Sequence, residues 1–241
     1  MSARWTKAVN STGGFLALTA ALAFDMYGTL VDPASLAGAL TAHVEDPEVV
    51  AAAWRWHQLE ISWLLTAMGR YEDCARVTRY GLLAALQEAE HELTSGQLDQ
   101  LLDQARVPVL YEDVPGALAE LSAAGHVLAV FSNGTAAQLE AILADTGIGG
   151  YFAHVISVDE VGVFKPAPAV YEHAARRLGR PIADVWLVSA NPFDAAGGKA
   201  AGMRVCKLER QPSIRYAFAP PPDLTITSLA ELPTALTEWS A

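Results

Sequence analysis

The stretch LALTAALAFDMYGTL, residues 16–30, decides the fold predicted for this chain. Nine uncharged residues, 16–24, precede Asp25, and Gly28 and Thr29 follow it in a predicted turn. Such an apolar run favours a strand buried on both faces, and its carboxyl end is where α/β sheets bind ligands. The run Phe15–Phe24 also resembles the apolar part of a signal peptide, but it is about half of the ~20 residues that a membrane span needs. We therefore predict a buried strand here rather than an export signal.

Four more short apolar runs follow, and they alternate with amphipathic stretches. This alternation predicts an α/β fold in which helices cover both faces of a parallel sheet. One helix is expected between Asp113 and Gly125 and another between Pro168 and Gly179. A last strand and helix are expected after a proline-rich turn at 217–224. The four runs are HVLAVF at 126–131, HVISV at 154–158, DVWLVS at 184–189 and MRVCKL at 203–208.

About 100 residues separate the first strand from the second, far more than the ~2–6 residues of an ordinary connection plus one helix. Helical periodicity recurs over 49–65, 71–89 and 97–105,. We predict that residues 33–109 form an all-helical cap domain of about four helices. Residues 1–32 and 110–241 are then the core domain.

Charge and cysteine content limit the possible partners and compartments. The net charge is −11, from 27 acidic and 16 basic residues, so the chain lacks the basic surface that nucleic acids or anionic membranes attract. Cys74 and Cys206 are far apart and lack metal-ligand spacing, which favours reduced, buried spectator thiols in a cytoplasmic protein,. We expect a small-molecule partner, with no nucleic acid and no membrane.

Polar residues follow four of the predicted strands at the edge where ligands bind. Taken singly, each could be a helix cap or part of a turn. Because the carboxyl ends of parallel strands meet at one edge of the sheet, we expect the four groups to converge. They are Asp25 and Thr29; Ser132 and Asn133; Lys165 and Tyr171; and Ser189, Asn191 and Asp194.

The motifs FDMYGTL, FSNGT, VFKPAPAVY and VSANPFD, in this order, resemble the four motifs of the haloacid dehalogenase superfamily. The resemblance runs from Asp25 to about Gly202. It implies a Rossmannoid parallel sheet with an inserted cap, and it identifies Asp25 as a covalent nucleophile.

Two positions separate the branches of that superfamily. Phosphatase members carry a second Asp two residues after the nucleophile and a magnesium-binding acid in the fourth motif, where this chain has Tyr27 and Ala190. A phosphoryl group repels an aspartate nucleophile unless a metal neutralises charge, whereas an alkyl halide does not. The chain is instead similar to the metal-independent L-2-haloacid dehalogenases, which implies no cofactor and no metal.

The cap contributes a fifth match. The stretch WRWHQLEISWL at 54–64 resembles the family's first cap helix, in which an Arg after Trp contacts the halogen, and this assigns the role to Arg55. An Arg on an amphipathic helix is otherwise usually solvated. The flanking match favours the functional interpretation.

The resemblance implies displacement of halide from a short 2-haloalkanoic acid by Asp25, with inversion and an ester intermediate. Arg55, together with Asn191, is expected to stabilise the leaving halide. Ser132 and the backbone amides after Thr29 and Ser132 are expected to bind the substrate carboxylate, and Asn133 is a further expected substrate-binding residue. Lys165 is expected to compensate the charge of Asp25, and Tyr171 and Ser189 to hold Lys165 and Asp25 in place; Tyr171 is also expected to bind substrate. Asp194, with Thr29 and Asn191, is expected to activate the water that hydrolyses the ester. The apolar wall around the substrate is expected to consist of Tyr27, Leu59, Trp63 and Phe193.

Three departures from the family leave substrate size and halogen preference open. Phe193 stands where Trp is usual, Trp56 where a smaller polar residue is common, and Ala190 in place of Ser. Two other hypotheses remain. The chain could be a magnesium-dependent phosphatase or phosphonatase of the same fold, or a catalytically inactive member of the fold that binds a small acid or a protein. The family resemblance also implies a homodimer.

Overall fold

A computed structural model describes residues 19–33, 35–105 and 109–239 of the chain. Six parallel strands form one sheet in the order β3-β2-β1-β4-β5-β6. This confirms the predicted α/β class with a parallel sheet. The strands are β1 (Ala21–Phe24), β2 (Val127–Ser132), β3 (His154–Ser157), β4 (Val185–Ser189), β5 (Arg204–Leu208) and β6 (Leu224–Ile226).

The central strand β1 is buried along its whole length. Its side chains alternate, so that Leu22 and Phe24 pack in the core on one face of the sheet and Ala21 and Ala23 in the core on the other,. Residues 15–18 of the predicted apolar run lie outside the described residues. What is described of the run ends, as predicted, at Asp25.

Helices cover both faces of the sheet. Helix α5 (Val114–Ala123) and helix α7 (Pro168–Arg177) lie where the Pro and Gly signals predicted them. Asp113 precedes α5, but its side chain makes no capping hydrogen bond and instead contacts the C-terminal segment of the chain. The remaining helices of the core are α6 (Ala136–Asp145), α8 (Pro192–Ala201) and α9 (Leu232–Trp239).

Four helices lie between β1 and α5, and they pack around a hydrophobic cluster of their own. Trp54, Leu82 and Leu101 are at its centre and are almost fully buried. The boundaries 32/33 and 109/110 stay a prediction, although Val31 pairs with Leu110 beside them. The helices are α1 (Ser35–Leu40), α2 (Pro47–Ala67), α3 (Cys74–Glu88) and α4 (Ser95–Gln104).

Helix α2 is hydrogen-bonded to the loop that precedes α7. Trp63 Nε1 donates to the carbonyl of Lys165 at 3.2 Å, and Thr66 Oγ1 accepts from the Phe164 amide at 3.1 Å. The helical insertion is thereby held over the carboxyl edge of the sheet. Within the described ranges, no helix is long and apolar enough to cross a membrane.

Candidate active site

Asp25 follows the last residue of β1 and is buried, with 6% of its surface exposed. Its Oδ2 accepts hydrogen bonds from Thr29 Oγ1 at 3.0 Å and from Asn191 Nδ2 at 2.7 Å. Gly28, at φ +81°, forms the turn that brings Thr29 back to the carboxylate,. The side chain is therefore held in one orientation by groups from two strand ends.

The Lys165 ammonium joins the first and fourth groups of polar residues, through Asp25 and Asp194. Its Nζ donates to Asp25 Oδ1 at 3.2 Å, to Asp194 Oδ2 at 3.0 Å and to the Phe131 carbonyl at 2.8 Å. These three contacts use all three of its donors. Lys165 is 1% exposed, so this charge is compensated by protein groups rather than by water.

Asp194 is completely buried, on the first turn of α8. Tyr171 donates its hydroxyl proton to Asp194 Oδ1 at 2.8 Å, and Lys165 holds the other oxygen. Burial raises the pKa of Asp194, the positive charge of Lys165 opposes this rise, and the charge of Asp25 adds to it. The carboxylate is thus a stronger base than an exposed aspartate.

Arg55 reaches the site from α2. Its Nη1 donates to Gln58 Oε1 at 2.7 Å, and among the described residues no carboxylate lies within ion-pair distance of it. Burial lowers the pKa of Arg55, and the negative charge of Asp25 opposes that effect. A guanidinium has five donors, so Arg55 can offer most of its donors to a bound anion.

A small cavity of about 20 Å³ brings the nucleophile candidate and this cation together. Its wall includes predicted residues from the core and from the insertion, namely Asp25, Tyr27, Arg55, Leu59, Ser132, Asn133, Lys165 and Phe193. The Phe193 ring packs edge-on against Trp63 at 5.5 Å between centroids. The cavity thus places a carboxylate, two cations and apolar side chains around one small space.

Five other predicted residues lie behind the cavity wall. Thr29, Asn191 and Asp194 contact Asp25 or Lys165, as described above. Asn191 uses its amide donors on Asp25 and on the Tyr27 carbonyl at 2.9 Å, which leaves Arg55 as the candidate halide donor. Ser189 Oγ accepts a hydrogen bond from the backbone N–H of Asn191 at 3.2 Å. Tyr171 contacts Asp194 rather than the cavity.

Several residues of the site were missed by the sequence analysis. Cys74 was interpreted as a spectator thiol; it is buried as expected, but it lines the cavity, and burial raises its pKa to about 11. Phe131 supplies both a carbonyl and a ring face, 3.9 Å from Lys165 Nζ. Gln58 lies three residues after Arg55 on a helix, and this spacing is the one signal that could have identified it.

The described residues contain no group of three or more His, Cys, Asp or Glu side chains arranged to hold a metal ion.

Comparison with known proteins gives consistent results. Residues 19–202 match the family model described as haloacid dehalogenase-like hydrolase. The chain is 34% identical to (S)-2-haloacid dehalogenase 2 of Pseudomonas sp. strain CBS-3 over 219 residues, which cover 90% of this chain and 96% of that protein.

Two solved structures of the L-2-haloacid dehalogenase from Xanthobacter autotrophicus are also similar. The first is 32% identical with a TM-score of 0.86, and the match covers 91% of this chain and 98% of that one. The second has chloropropionic acid covalently bound and is 31% identical, with a TM-score of 0.85 and the same coverage. The chain therefore belongs to the haloacid dehalogenase-like hydrolases, and its relatives in that family include (S)-2-haloacid dehalogenases.

Proposed function

We propose that this protein is an (S)-2-haloacid dehalogenase, which hydrolyses short 2-haloalkanoic acids to 2-hydroxy acids and halide with inversion. The observation that carries the proposal is that Asp25 and Arg55 line one small cavity. A carboxylate nucleophile and a guanidinium without a carboxylate partner are the two groups that displacement of halide from carbon requires.

In the first step, Asp25 Oδ1 attacks the carbon that bears the halogen. Oδ2 already accepts two hydrogen bonds, whereas Oδ1 accepts one, from Lys165, so Oδ1 has a lone pair left for attack. The C–O ester bond forms as the carbon–halogen bond breaks, and the electron pair of the broken bond leaves with the halide. Attack opposite the leaving group inverts the carbon, so an (S)-2-haloacid gives an (R)-2-hydroxy acid.

Arg55 stabilises the negative charge that develops on the halide. In a site closed to water, such a donor contributes about 2.7–4 kcal/mol to lowering the barrier. Tyr27, Leu59 and Phe193 line the same cavity, and their apolar surfaces strengthen the attraction between Arg55 and the halide.

The substrate carboxylate binds to Ser132 and Asn133. Ser132 Oγ accepts from the Gly134 amide at 3.2 Å, which leaves its own proton free to donate. Asn133 Oδ1 accepts from the Lys165 amide at 3.0 Å, so its Nδ2 is directed away from that contact. Both residues line the cavity, and together they supply the neutral donors that a carboxylate needs.

In the second step, water attacks the carbonyl carbon of the Asp25 ester. Asp194 accepts the proton from that water, and Lys165, hydrogen-bonded to both carboxylates, keeps the two aspartates together. The acyl–oxygen bond then breaks, and the proton held by Asp194 passes to the departing alkoxide, which leaves as the 2-hydroxy acid. The Asp25 carboxyl, which now carries an oxygen from water, loses its proton to solvent and is regenerated as the carboxylate. The raised pKa of Asp194 favours its role as base,.

The test is release of halide from each enantiomer of 2-chloropropanoate and from monochloroacetate, in the presence of EDTA. We expect release from the (S)-enantiomer and from monochloroacetate. Asp25→Asn should release none, and Asp194→Asn should turn over slowly and accumulate an ester that mass spectrometry detects on the Asp25 peptide. Asp145→Asn, at an exposed position, is the matched control. Full halide release by Asp25→Asn, with deamidation excluded, would contradict the nucleophile assignment.

We also propose that the enzyme is a cytoplasmic homodimer with no nucleic-acid or membrane partner. Both cysteines are free and buried, which suits a reducing compartment. The insertion exposes several large apolar side chains that a second copy could cover: Val49, Trp56 and Leu64 on α2, Met68 just after it, and Leu83 on α3,. Light scattering should give twice the chain mass of 25.6 kDa; a monomer mass at micromolar concentration would contradict the dimer.

A further inference from the structure

A hydrogen-bonded chain runs from Arg55 along the cavity wall, which Gln58 and Cys74 also line, and into the contact between α2 and α3. Arg55 Nη1 donates to Gln58 Oε1 at 2.7 Å, Gln58 Nε2 donates to Thr78 Oγ1 at 2.6 Å, and Thr78 Oγ1 donates to the Cys74 carbonyl at 2.7 Å. We propose that Gln58 and Thr78 are positioning residues that aim the Arg55 guanidinium at the leaving halide. This inference rests on the proposed function.

The direction of the chain is fixed by proton counting. The Thr78 hydroxyl has one proton, and the contact with the Cys74 carbonyl uses it,. The hydroxyl oxygen therefore accepts a hydrogen bond from Gln58, and the donor must be the NH₂ group of the Gln58 amide. The Gln58 carbonyl oxygen is left facing Arg55, and the amide cannot turn over without losing both contacts.

The two helices are close at this point because Gly81 has no side chain. A Cβ on Gly81 would lie 2.8 Å from the backbone nitrogen of Gln58 and 3.1 Å from the backbone carbonyl oxygen of Trp54. Trp54 Nε1 also donates to the Thr78 carbonyl at 2.8 Å. The helix contact thus holds Thr78 at a fixed distance from Gln58, independently of the Gln58 side chain.

A neutral amide suits this position better than a carboxylate. Gln58 orients the guanidinium through one donor and adds no negative charge, so the charge of Arg55 remains available to the halide. A glutamate at the same place would still accept from Arg55, but it would compensate the charge of Arg55 and would have no donor for the Thr78 hydroxyl. Gln58→Glu therefore changes both the charge balance at Arg55 and the contact with Thr78.

The inference predicts a change in leaving-group selectivity. Chloride is the poorer leaving group and depends more on Arg55 than bromide does, so a misplaced guanidinium should slow chloride displacement more. The value of kcat/KM reports steps up to ester formation, which are the steps that Arg55 affects. A general loss of folded enzyme would lower the apparent kcat/KM for both substrates by the same factor and leave the bromo/chloro ratio unchanged.

The experiment measures kcat/KM for (S)-2-chloropropanoate and (S)-2-bromopropanoate in wild type, Gln58→Met, Gln58→Glu, Thr78→Val and Thr78→Ser. Misplacement of a catalytic group by about 1 Å can cost about 100-fold in rate. We expect that loss for the chloro substrate in Gln58→Met, with a clearly higher bromo/chloro ratio. Gln58→Glu and Thr78→Val should shift the ratio in the same direction. Thr78→Ser, which keeps the hydroxyl, and Gln87→Met, at an exposed site on α3, should keep the wild-type ratio.

The outcomes separate this inference from the function on which it rests. If wild type releases halide and Arg55→Lys raises the bromo/chloro ratio, an unchanged ratio in both Gln58→Met and Thr78→Val overturns the positioning role alone. If Gln58→Met does not fold, as judged by circular dichroism, the Thr78→Val and Thr78→Ser pair decides. No halide from wild type overturns the proposed function and this inference together.

Discussion

Replacing Lys165 with Met removes one cation that serves two buried carboxylates. Met keeps the length and apolar stem of the side chain, so the change is mainly electrostatic. Asp25 and Asp194, whose side chains are 9% and 0% exposed, lose contacts of 3.2 and 3.0 Å. Removing one member of a buried pair typically costs about 3–5 kcal/mol, because the remaining charge is left without a partner. We expect the free energy of unfolding to fall by about that amount near neutral pH, and halide release to be lost.

The loss should depend on pH with a definite sign. Burial already raises the pKa of Asp194, and removal of Lys165 raises it further. A carboxyl whose folded pKa lies above its unfolded value contributes stability at low pH, and that contribution is lost as pH rises through the folded pKa. Lys165→Met should therefore recover stability as pH is lowered through the raised pKa of Asp194, and Lys165→Met/Asp194→Asn should recover it already near neutral pH.

Denaturant titrations with circular dichroism measure these free energies. The control is Arg176→Met on α7, whose pair with Glu172 is exposed on both sides and should be worth at most about 1 kcal/mol. The reasoning is refuted if the free energy of unfolding of Lys165→Met lies within about 1 kcal/mol of the wild-type value near neutral pH. It is also refuted if the loss does not change with pH.

Asp113→Asn should loosen the C-terminal segment, because the Asp113 carboxylate accepts hydrogen bonds from Arg210 Nη1 and Ser228 Oγ at 3.0 and 2.8 Å. Burial raises the pKa of Asp113, but these bonds outweigh it and the pKa is lowered. Its stabilisation is thus present above the unfolded pKa of ~3.9 and is lost as pH falls through the folded value, where acid titrations of variant and wild type should converge. Gly81→Ala, which places a methyl 2.8 Å from a backbone nitrogen, should destabilise by about 1–3 kcal/mol in denaturant. Gly116→Ala, with nothing within 4 Å of the methyl, should instead stabilise by roughly 0.5–1 kcal/mol, and equal effects of the two glycine changes would contradict this reasoning.

Much of the sheet could be predicted because buried parallel strands have a strong local signal. Uninterrupted apolar runs marked the described strands to within about one or two residues at most ends. The polar residues at their carboxyl ends converge because parallel strands share that edge. The position of Asp25 against Lys165 and Asn191 follows from this one geometric rule.

Residues supplied by the helical insertion were harder to predict. Cys74 lies on α3, and its place in the cavity wall depends on how α3 packs against α2 and the sheet. Gln58 differs from other polar residues on α2 only in its partners, Arg55 and Thr78, and Thr78 is twenty residues away. Periodicity identifies the buried face of a helix but not which polar side chains meet another helix there.

The charges of the site favour a monoanionic substrate. Counted as ionised groups, Asp25 and Asp194 balance Lys165 and Arg55. A 2-haloacid adds one negative charge, and displacement keeps the total, because the charge of Asp25 passes to the halide. A phosphate monoester dianion would add two, and the described residues that line the cavity offer no cation beyond Lys165 and Arg55. We expect 2-hydroxypropanoate to inhibit halide release much more strongly than inorganic phosphate in a direct competition assay. Stronger inhibition by phosphate, or hydrolysis of p-nitrophenyl phosphate that EDTA abolishes, would contradict this charge argument and favour phosphoryl transfer.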